Sequence, residues 1–273
     1  MELKYNKDLL YDLYINKELS LSKIASDYSV SSMTIRAWLI KNGISIRQST
    51  QNIYRELKNT FFSYSQKSLI IGSVLGDGSL TQGKDCINAR FCERHSESQK
   101  DYLVWKKNVL KPFTTSKLSE TVGGKHEISG IKCNVQKSYM FTTITHPYLT
   151  ELRNIFYPEG IKVIPKILYD WINGLVLAVW ICDDGCFTYD EVRGIYRLDL
   201  HTESFTYKDN LFICRNILNK FFNKSFRLNS RMYKSEKAYY ICLSGKYNLY
   251  EVVNKIKQFI PQCMLHKFKD YIT

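Results

Sequence analysis

Several absences narrow the class of this chain before any motif is read. It has no uninterrupted apolar run long enough to cross a bilayer, which takes about 20 residues. Its opening, Met1-Glu2-Leu3-Lys4-Tyr5, is charged early and lacks the apolar core of a signal peptide. Eight cysteines, at 86, 92, 133, 182, 186, 214, 242 and 263, include no Cys-x-x-Cys pair. They sit mostly in apolar or strand-like stretches and read as reduced thiols. Cys182 and Cys186 flank an acidic motif but lack the companions that structural zinc needs. The expectation is an intracellular protein with no membrane association, in the cytoplasm of a bacterial or phage host or in an organelle matrix. Negative charge is also scarce: 26 Asp and Glu face 39 Lys and Arg, a net +13 over 273 residues. The excess is spread along the whole chain, as a polyanion-binding surface requires, rather than gathered in a tail.

Residues 1–50 read as a small all-α unit. Leu9, Leu10, Leu13 and Tyr14 mark the apolar stripe of a helix ending near Asn16. Ser20 or Ser22 caps a short second helix carrying Ile24 and Ala25. After Tyr28-Ser29-Val30, Ser31 or Ser32 caps a third, carrying Ile35, Trp38 and Leu39 and stopping before Asn42-Gly43. Short helix, brief turn and longer helix is the helix-turn-helix pattern, though small three-helix protein-binding domains share it. In the first case Thr34 and Arg36 near the start of the third helix face base edges, while Lys41 and Arg47 hold phosphates. Residues 51–66 are polar, of mixed charge and without period, and read as a linker.

Two acidic tripeptides dominate the remainder. Gly76-Asp77-Gly78 closes the apolar run from Leu69, Asp183-Asp184-Gly185 closes that from Leu175, and their aspartates lie 107 positions apart (184 − 77). A buried helix has little reason to end in a carboxylate unless that charge meets a cation. Gly72 and Gly76 share one helix ridge, with Ala178 and Cys182 similarly spaced on the other, so the two helices are expected to pack closely and bring Asp77 and Asp184 together. Gly78 and Gly185 are expected to let the chain leave each helix. Paired carboxylates in a basic protein point to divalent-metal and phosphate chemistry, in which the metal positions a water and stabilises the leaving oxygen.

Each half then repeats strands and amphipathic helices, giving half-domains at 67–166 and 167–273. Ile87, Ala89 and Phe91 alternate with Asn88, Arg90 and Cys92, and Tyr196, Leu198 and Leu200 with Arg197, Asp199 and His201. Lys132, Asn134 and Gln136, and Arg227, Asn229 and Arg231, continue the polar alternation. The polar faces suit base edges in a groove. Helices fit Ser98–Leu110, Tyr148–Phe156, Tyr207–Phe222 and Tyr247–Phe259.

The segments Ile70-Ile71-Gly72-Ser73-Val74-Leu75-Gly76-Asp77-Gly78 and Leu177-Ala178-Val179-Trp180-Ile181-Cys182-Asp183-Asp184-Gly185 resemble the two motifs of single-chain LAGLIDADG homing endonucleases. The second motif, and Leu200-His201-Thr202-Glu203-Ser204-Phe205-Thr206 after it, are most similar to the branch of the yeast mitochondrial omega-intron enzyme. Lys162-Val163-Ile164-Pro165 and Met264-Leu265-His266-Lys267 fall where the halves end. The resemblance covers about residues 67–270. It departs at Leu75, where the family name has an acid, and at Val179 and Trp180, where Gly and Leu would stand. The resemblance implies an α+β fold: a pseudo-twofold pair of αββαββα half-domains with DNA-facing antiparallel sheets on one monomeric chain. It also implies Asp77 and Asp184 as metal ligands joined by carbonyls of Gly76 and Asp183, with Lys162 and Lys267 near the metals. The implied activity is a double-strand break in a long, non-palindromic DNA target, with Mg²⁺ as cofactor and Mn²⁺ able to substitute. A cleavage-deficient DNA-binding regulator and an intron-splicing maturase share this fold and stay open as alternatives.

Overall fold

The chain separates into two compact units, residues 1–56 and 57–273. The computed structural model describes all residues except 1, 2, 4, 5, 18, 47–56, 58, 85, 115, 116, 129, 130, 234 and 273, and omits the side chains of 125–135 and 233. Arg47 and much of the expected linker therefore lie outside the described residues, as do the side chains of Lys132 and Asn134. No helix among the described residues is long and apolar enough to cross a membrane.

The first unit is helical where its apolar residues recur at helical spacing. α1 runs Lys7–Tyr11 and widens into a π-helical turn over Asp12–Asn16. α2 (Leu21–Asp27) and α3 (Ser32–Lys41) each start on a serine: Ser20 Oγ accepts from the Lys23 N–H, and Ser31 Oγ from that of Thr34. Between them Ser29 takes a left-handed φ of 54°. Gly43, at φ 69°, ends α3 while the Ile44 N–H returns to the Leu39 carbonyl. Leu10, Tyr14, Ile24, Ala25, Ile35, Leu39 and Ile44 form the core. That leaves Met33, Arg36, Ala37 and Lys41 exposed along α3.

The second unit starts earlier than the linker expectation allows. Phe62 stacks on Phe113 with ring centroids 3.9 Å apart and meets the edge of His146 at 5.0 Å. That aromatic burial holds a segment whose polarity suggested a linker. Ser63 and Gln66 then close a capping box at the start of α4 (Tyr64–Leu75). Its partner α7 (Gly174–Asp184) starts at Asn173, whose Oδ1 accepts from the N–H groups of Leu175 and Val176. The Asn173 amide also donates to Ser68 Oγ at 2.9 Å and to Tyr64 Oη at 3.0 Å, tying the two helix starts together.

Both helices are buried on nearly every side, because each lies between the other and its own half-domain. A Cβ on Gly72 would stand 2.7 Å from the Val176 carbonyl oxygen, and one on Gly76 would stand 2.5 Å from the Asp183 Cβ. The close approach is as expected, but the facing ridge is Val176, Val179 and Asp183 rather than Ala178 and Cys182. The exits differ from expectation as well. Gly78 and Gly185 are glycine for space, not for a left-handed turn: a Cβ would meet the Phe91 ring at 2.6 Å and the Ile181 carbonyl oxygen at 2.5 Å.

Each half follows the αββαββα order. In the first, α4 leads to β1 (Ser79–Thr81), β2 (Arg90–Ser96), α5 (Lys100–Val109), β3 (Ser119–Thr121), β6 (Ser138–Thr142) and α6 (Pro147–Phe156). A separate hairpin, β4 (Gly124–Ile128) with β5 (Ile131–Val135), is inserted between β3 and β6. In the second, α7 leads to β7 (Gly185–Asp190), β8 (Ile195–Leu200), a long α8, β9 (Arg227–Tyr233), β10 (Glu236–Ser244) and α9 (Lys246–Ile256). α8 is built from Tyr207–Phe212, a π-helical turn Ile213–Leu218, and Asn219–Phe222. The antiparallel sheets have matching orders, β1-β2-β6-β3 and β7-β8-β10-β9. Gly72→Ala places a methyl against a backbone oxygen that cannot rotate away. It should lower stability by about 1–3 kcal/mol in denaturant unfolding, and an unchanged midpoint would show that the helix contact is loose.

Candidate active site

The two motif helices end at the join of the half-domains. Asp184 is the last residue of α7, and its carboxylate Oδ2 accepts from the Trp180 indole N–H at 3.1 Å. Burial, then the charges of Asp77 and Asp183, push its pKa up to about 7, against the Trp180 hydrogen bond and the charge of Lys162. Asp77 follows α4, with its side chain 43% exposed. The lysines occupy corresponding places. Lys162 Nζ donates to the carbonyls of Leu75 (3.4 Å) and Gly76 (3.2 Å), and Lys267 Nζ to that of Cys182 (2.6 Å), the residue 107 positions after Leu75. Burial lowers the pKa of both, and the carboxylates of the centre work against that shift.

Asp183 behaves differently from its neighbour. Its carboxylate is fully buried and accepts from Lys106 Nζ at 2.8 and 2.9 Å and from the Tyr102 hydroxyl at 2.9 Å. These donors already engage its carboxylate, and the metal role expected of Asp183 is through its main-chain carbonyl. Burial works against the charge on Lys106, but the carboxylates of Asp183 and Glu93 outweigh it and hold the ammonium protonated. The donors at the centre are thus carboxylate and carbonyl oxygens, the set that a hard divalent cation prefers. A cation there would also relieve the mutual repulsion that raises Asp184, so these residues fit such an ion.

The sheets present one polar face each. On β2, Arg90, Cys92 and Arg94 alternate with the buried Phe91, Glu93 and His95. Cross-strand register adds Ser79, Thr81, Met140 and Thr142 to the same face. On the second sheet Arg197, Arg227 and Asn229 line one hollow with Thr188, Cys242 and Ser244. Arg227, Asn229 and Arg231 are exposed, and His201 is half-buried beside Arg231, its Nδ1 3.3 Å from a guanidinium nitrogen.

Four expectations on the sheets need correction. Asn88 precedes β2 and accepts from Thr150 Oγ1 at 3.1 Å, because the strand starts only at Arg90. Ile87 is exposed rather than inward for the same reason. Asp199 is only 7% exposed and pairs with Arg197 at 2.7 Å, so it orients that guanidinium instead of meeting a base edge. Gln136 is exposed in the turn after β5, not on a strand. In the first unit, Thr34 is half-buried, its hydroxyl bonded to Ser31 Oγ at 2.8 Å.

Glu93, His95, Tyr102, Lys106 and Arg94 carry no motif in the sequence, and Trp180 stands there only as a departure from the family pattern. The signal for three of them was present: continuing the β2 alternation past Cys92 puts two ionisable residues, Glu93 and His95, on the apolar face and Arg94 on the polar one.

The raised Asp184 value has a consequence for stability. Its folded pKa lies above the 3.8 of an ordinary aspartate, so ionisation is costly in the folded state. That cost is absent below about pH 4, grows as pH rises, and is complete above about pH 7. Asp184→Asn should therefore raise the melting temperature of metal-free protein by roughly 2–8 °C at pH 8 and by much less at pH 5. An equal gain at both pH values would show that Asp184 is not the group under strain.

Comparison with known proteins agrees with this arrangement. The family model described as the LAGLIDADG DNA endonuclease family matches residues 67–248. The DNA endonuclease I-ChuI of Chlamydomonas applanata is 25% identical over 75% of this chain and 94% of its own length. The cytochrome b mRNA maturase bI2 of Saccharomyces cerevisiae is 26% identical over 75% of this chain, which spans 47% of that longer protein. Among solved structures, the homing endonuclease I-WcaI bound to its DNA recognition sequence shares the fold, with a TM-score of 0.65 at 21% identity over 83% of this chain and 96% of that one. With both motif helices, their carboxylates and the two matched sheets on one polypeptide, this chain belongs to the LAGLIDADG DNA endonuclease family as a single-chain, two-motif member.

Proposed function

We propose that this chain makes a site-specific double-strand break in a long, non-palindromic DNA target, using Mg²⁺ or, in its place, Mn²⁺. The observation that carries the reading is the convergence of two motif helices ending in Asp77 and Asp184 at the join of two half-domains with basic sheets. Duplex DNA has local twofold symmetry relating its strands, and a pseudo-twofold pair of carboxylates offers one acid to each. Asp77 and Asp184, with the carbonyls of Gly76 and Asp183, would hold divalent cations, which lower the pKa of a bound water and neutralise the leaving oxygen. In each cut a water oxygen bonds to phosphorus, the ester P–O bond breaks, and the departing oxygen takes up a proton. Lys162 and Lys267, fixed on carbonyls beside each acid, would steady the phosphate.

The sheets supply the recognition surface in this reading. Arg90, Arg94, Arg197, His201, Arg227, Asn229 and Arg231 would meet base edges and phosphates. Lys132 and Asn134 on the hairpin and Gln136 beyond it would extend that surface. The first unit would act as a helix-turn-helix, α3 entering the major groove and Thr34, Arg36, Lys41 and Arg47 lengthening the footprint. An RNA-maturation role is the second reading, favoured by the likeness to the bI2 maturase. An exposed recognition helix suits duplex DNA better, because the major groove of A-form RNA is too narrow to admit it.

Purified protein with Mg²⁺ should linearise a plasmid carrying the uninterrupted insertion site. Intact plasmid despite tight binding would favour the regulator. Asp77→Asn or Asp184→Asn should lower cutting by at least about a hundredfold while leaving DNA affinity within about threefold. Retained cutting would show that the wrong acids are assigned. Deleting residues 1–50 should weaken binding to a long target and reduce the salt slope of its affinity; equal affinity would remove the helix-turn-helix from the footprint.

A further inference from the structure

Beside Asp77 lies a buried ionic group whose side chains the proposed chemistry does not use. Lys106, fully buried on α5, donates to Glu93 Oε1 and to both carboxylate oxygens of Asp183, the latter at 2.8 and 2.9 Å. Tyr102, one turn earlier, donates to Asp183 Oδ1 at 2.9 Å. Glu93 Oε1 also accepts from His95 Nε2 at 2.7 Å. Both ends of this series reach the first acid: Asp183 Oδ2 accepts from the Asp77 N–H at 3.4 Å, and His95 Nδ1, which bonds Gln99 Oε1 at 2.9 Å, stands 3.8 Å from Asp77 Oδ2. Asp77, Asp183, Lys106, Glu93 and His95 thus lie in a ring, joined at Asp77 by a long N–H contact on one side and by charge proximity to the imidazole on the other. Asp183 belongs to the second motif and occupies the place that Gly76 has in the first, so the ring crosses from one half to the other.

Asp184 has a different environment. The 107-residue offset that relates the two acids pairs Ser79–Cys92 with Cys186–Asp199 across β1-β2 and β7-β8, and it also relates the helix N-caps Gln99 and Thr206. It carries Glu93 to Leu200, His95 to Thr202 and Lys106 to Ile213, all three buried. Asp184 is held instead by Trp180. Burying paired charges is expensive, and the second half builds the same layer from two aliphatic residues and a threonine. The fold therefore does not need the ionic group, and its position points to the neighbouring acid.

We propose that Lys106, Asp183 and Glu93, with His95 and Tyr102, are positioning residues for Asp77, so that the two strands are cut by unequal centres and one cut depends on this ring. The inference rests on the endonuclease reading. Its test is single-turnover cleavage by the full chain with Mg²⁺ on a target duplex whose strands carry different end labels. Lys106→Met should slow one strand about ten- to a hundredfold more than the other, and nicked duplex should accumulate. Tyr102→Phe, which keeps every charge and removes only one hydroxyl, should slow the same strand by less. Lys106→Arg should restore much of the rate. Should Lys106→Met fail to fold, Tyr102→Phe carries the test alone. Equal slowing of both strands, or no slowing of either, overturns the inference while leaving the endonuclease reading standing. A wild-type chain that cuts neither strand overturns that reading, and this inference with it.

Discussion

The close contact of α4 with α7 is the constraint on which the rest depends. At Gly72 and Gly76 the helices approach so nearly that a single methyl would collide with backbone or with the Asp183 side chain. Only at that separation can two acids, one from each half, belong to a common centre. The same contact explains the all-round burial of both helices, and hence why they read as featureless apolar runs. Asn173 fixes the opposite end by hydrogen bonds to Ser68 and Tyr64, so the pair is pinned at its start by polar contacts and along its length by packing.

The two halves share an architecture but not a chemistry. Their sheets have the same strand order, their motifs the same spacing and their lysines equivalent carbonyl partners. Against that, Asp184 is sheltered and bonded to an indole, whereas Asp77 is more open and bordered by a ring of buried charges. A pseudo-symmetric frame carrying two different local environments suits a target whose halves differ in sequence.

Much of this was legible in the sequence, because periodicity and capping are local. A serine cap before each of α2 and α3, the helices near 100–109 and 207–222 and the outward Arg227, Asn229 and Arg231 follow from spacing alone, and the structure selects Ser20 and Ser31 as the caps. What escaped depends on long-range contact. Phe62 looked like part of a linker until Phe113 and His146 met it, and Asp199 looked like a reader of bases until Arg197 closed on it. Lys106 lies on the buried face of α5 with Tyr102 and Leu103, where an unpaired lysine would be costly; Glu93, 13 positions earlier, and Asp183, 77 positions later, give it partners. Gly78 and Gly185 suggested turns, but their reason is the atoms packed against them.

The cleavage chemistry proposed above requires the motif carboxylates to hold the cation that cuts DNA. The most direct measurement is anomalous diffraction from crystals of the full chain grown with target duplex and Mn²⁺. Manganese peaks are expected within bonding distance of the Asp77 and Asp184 carboxylates and of the strand phosphates. Peaks elsewhere, with both carboxylates unliganded, would contradict that chemistry.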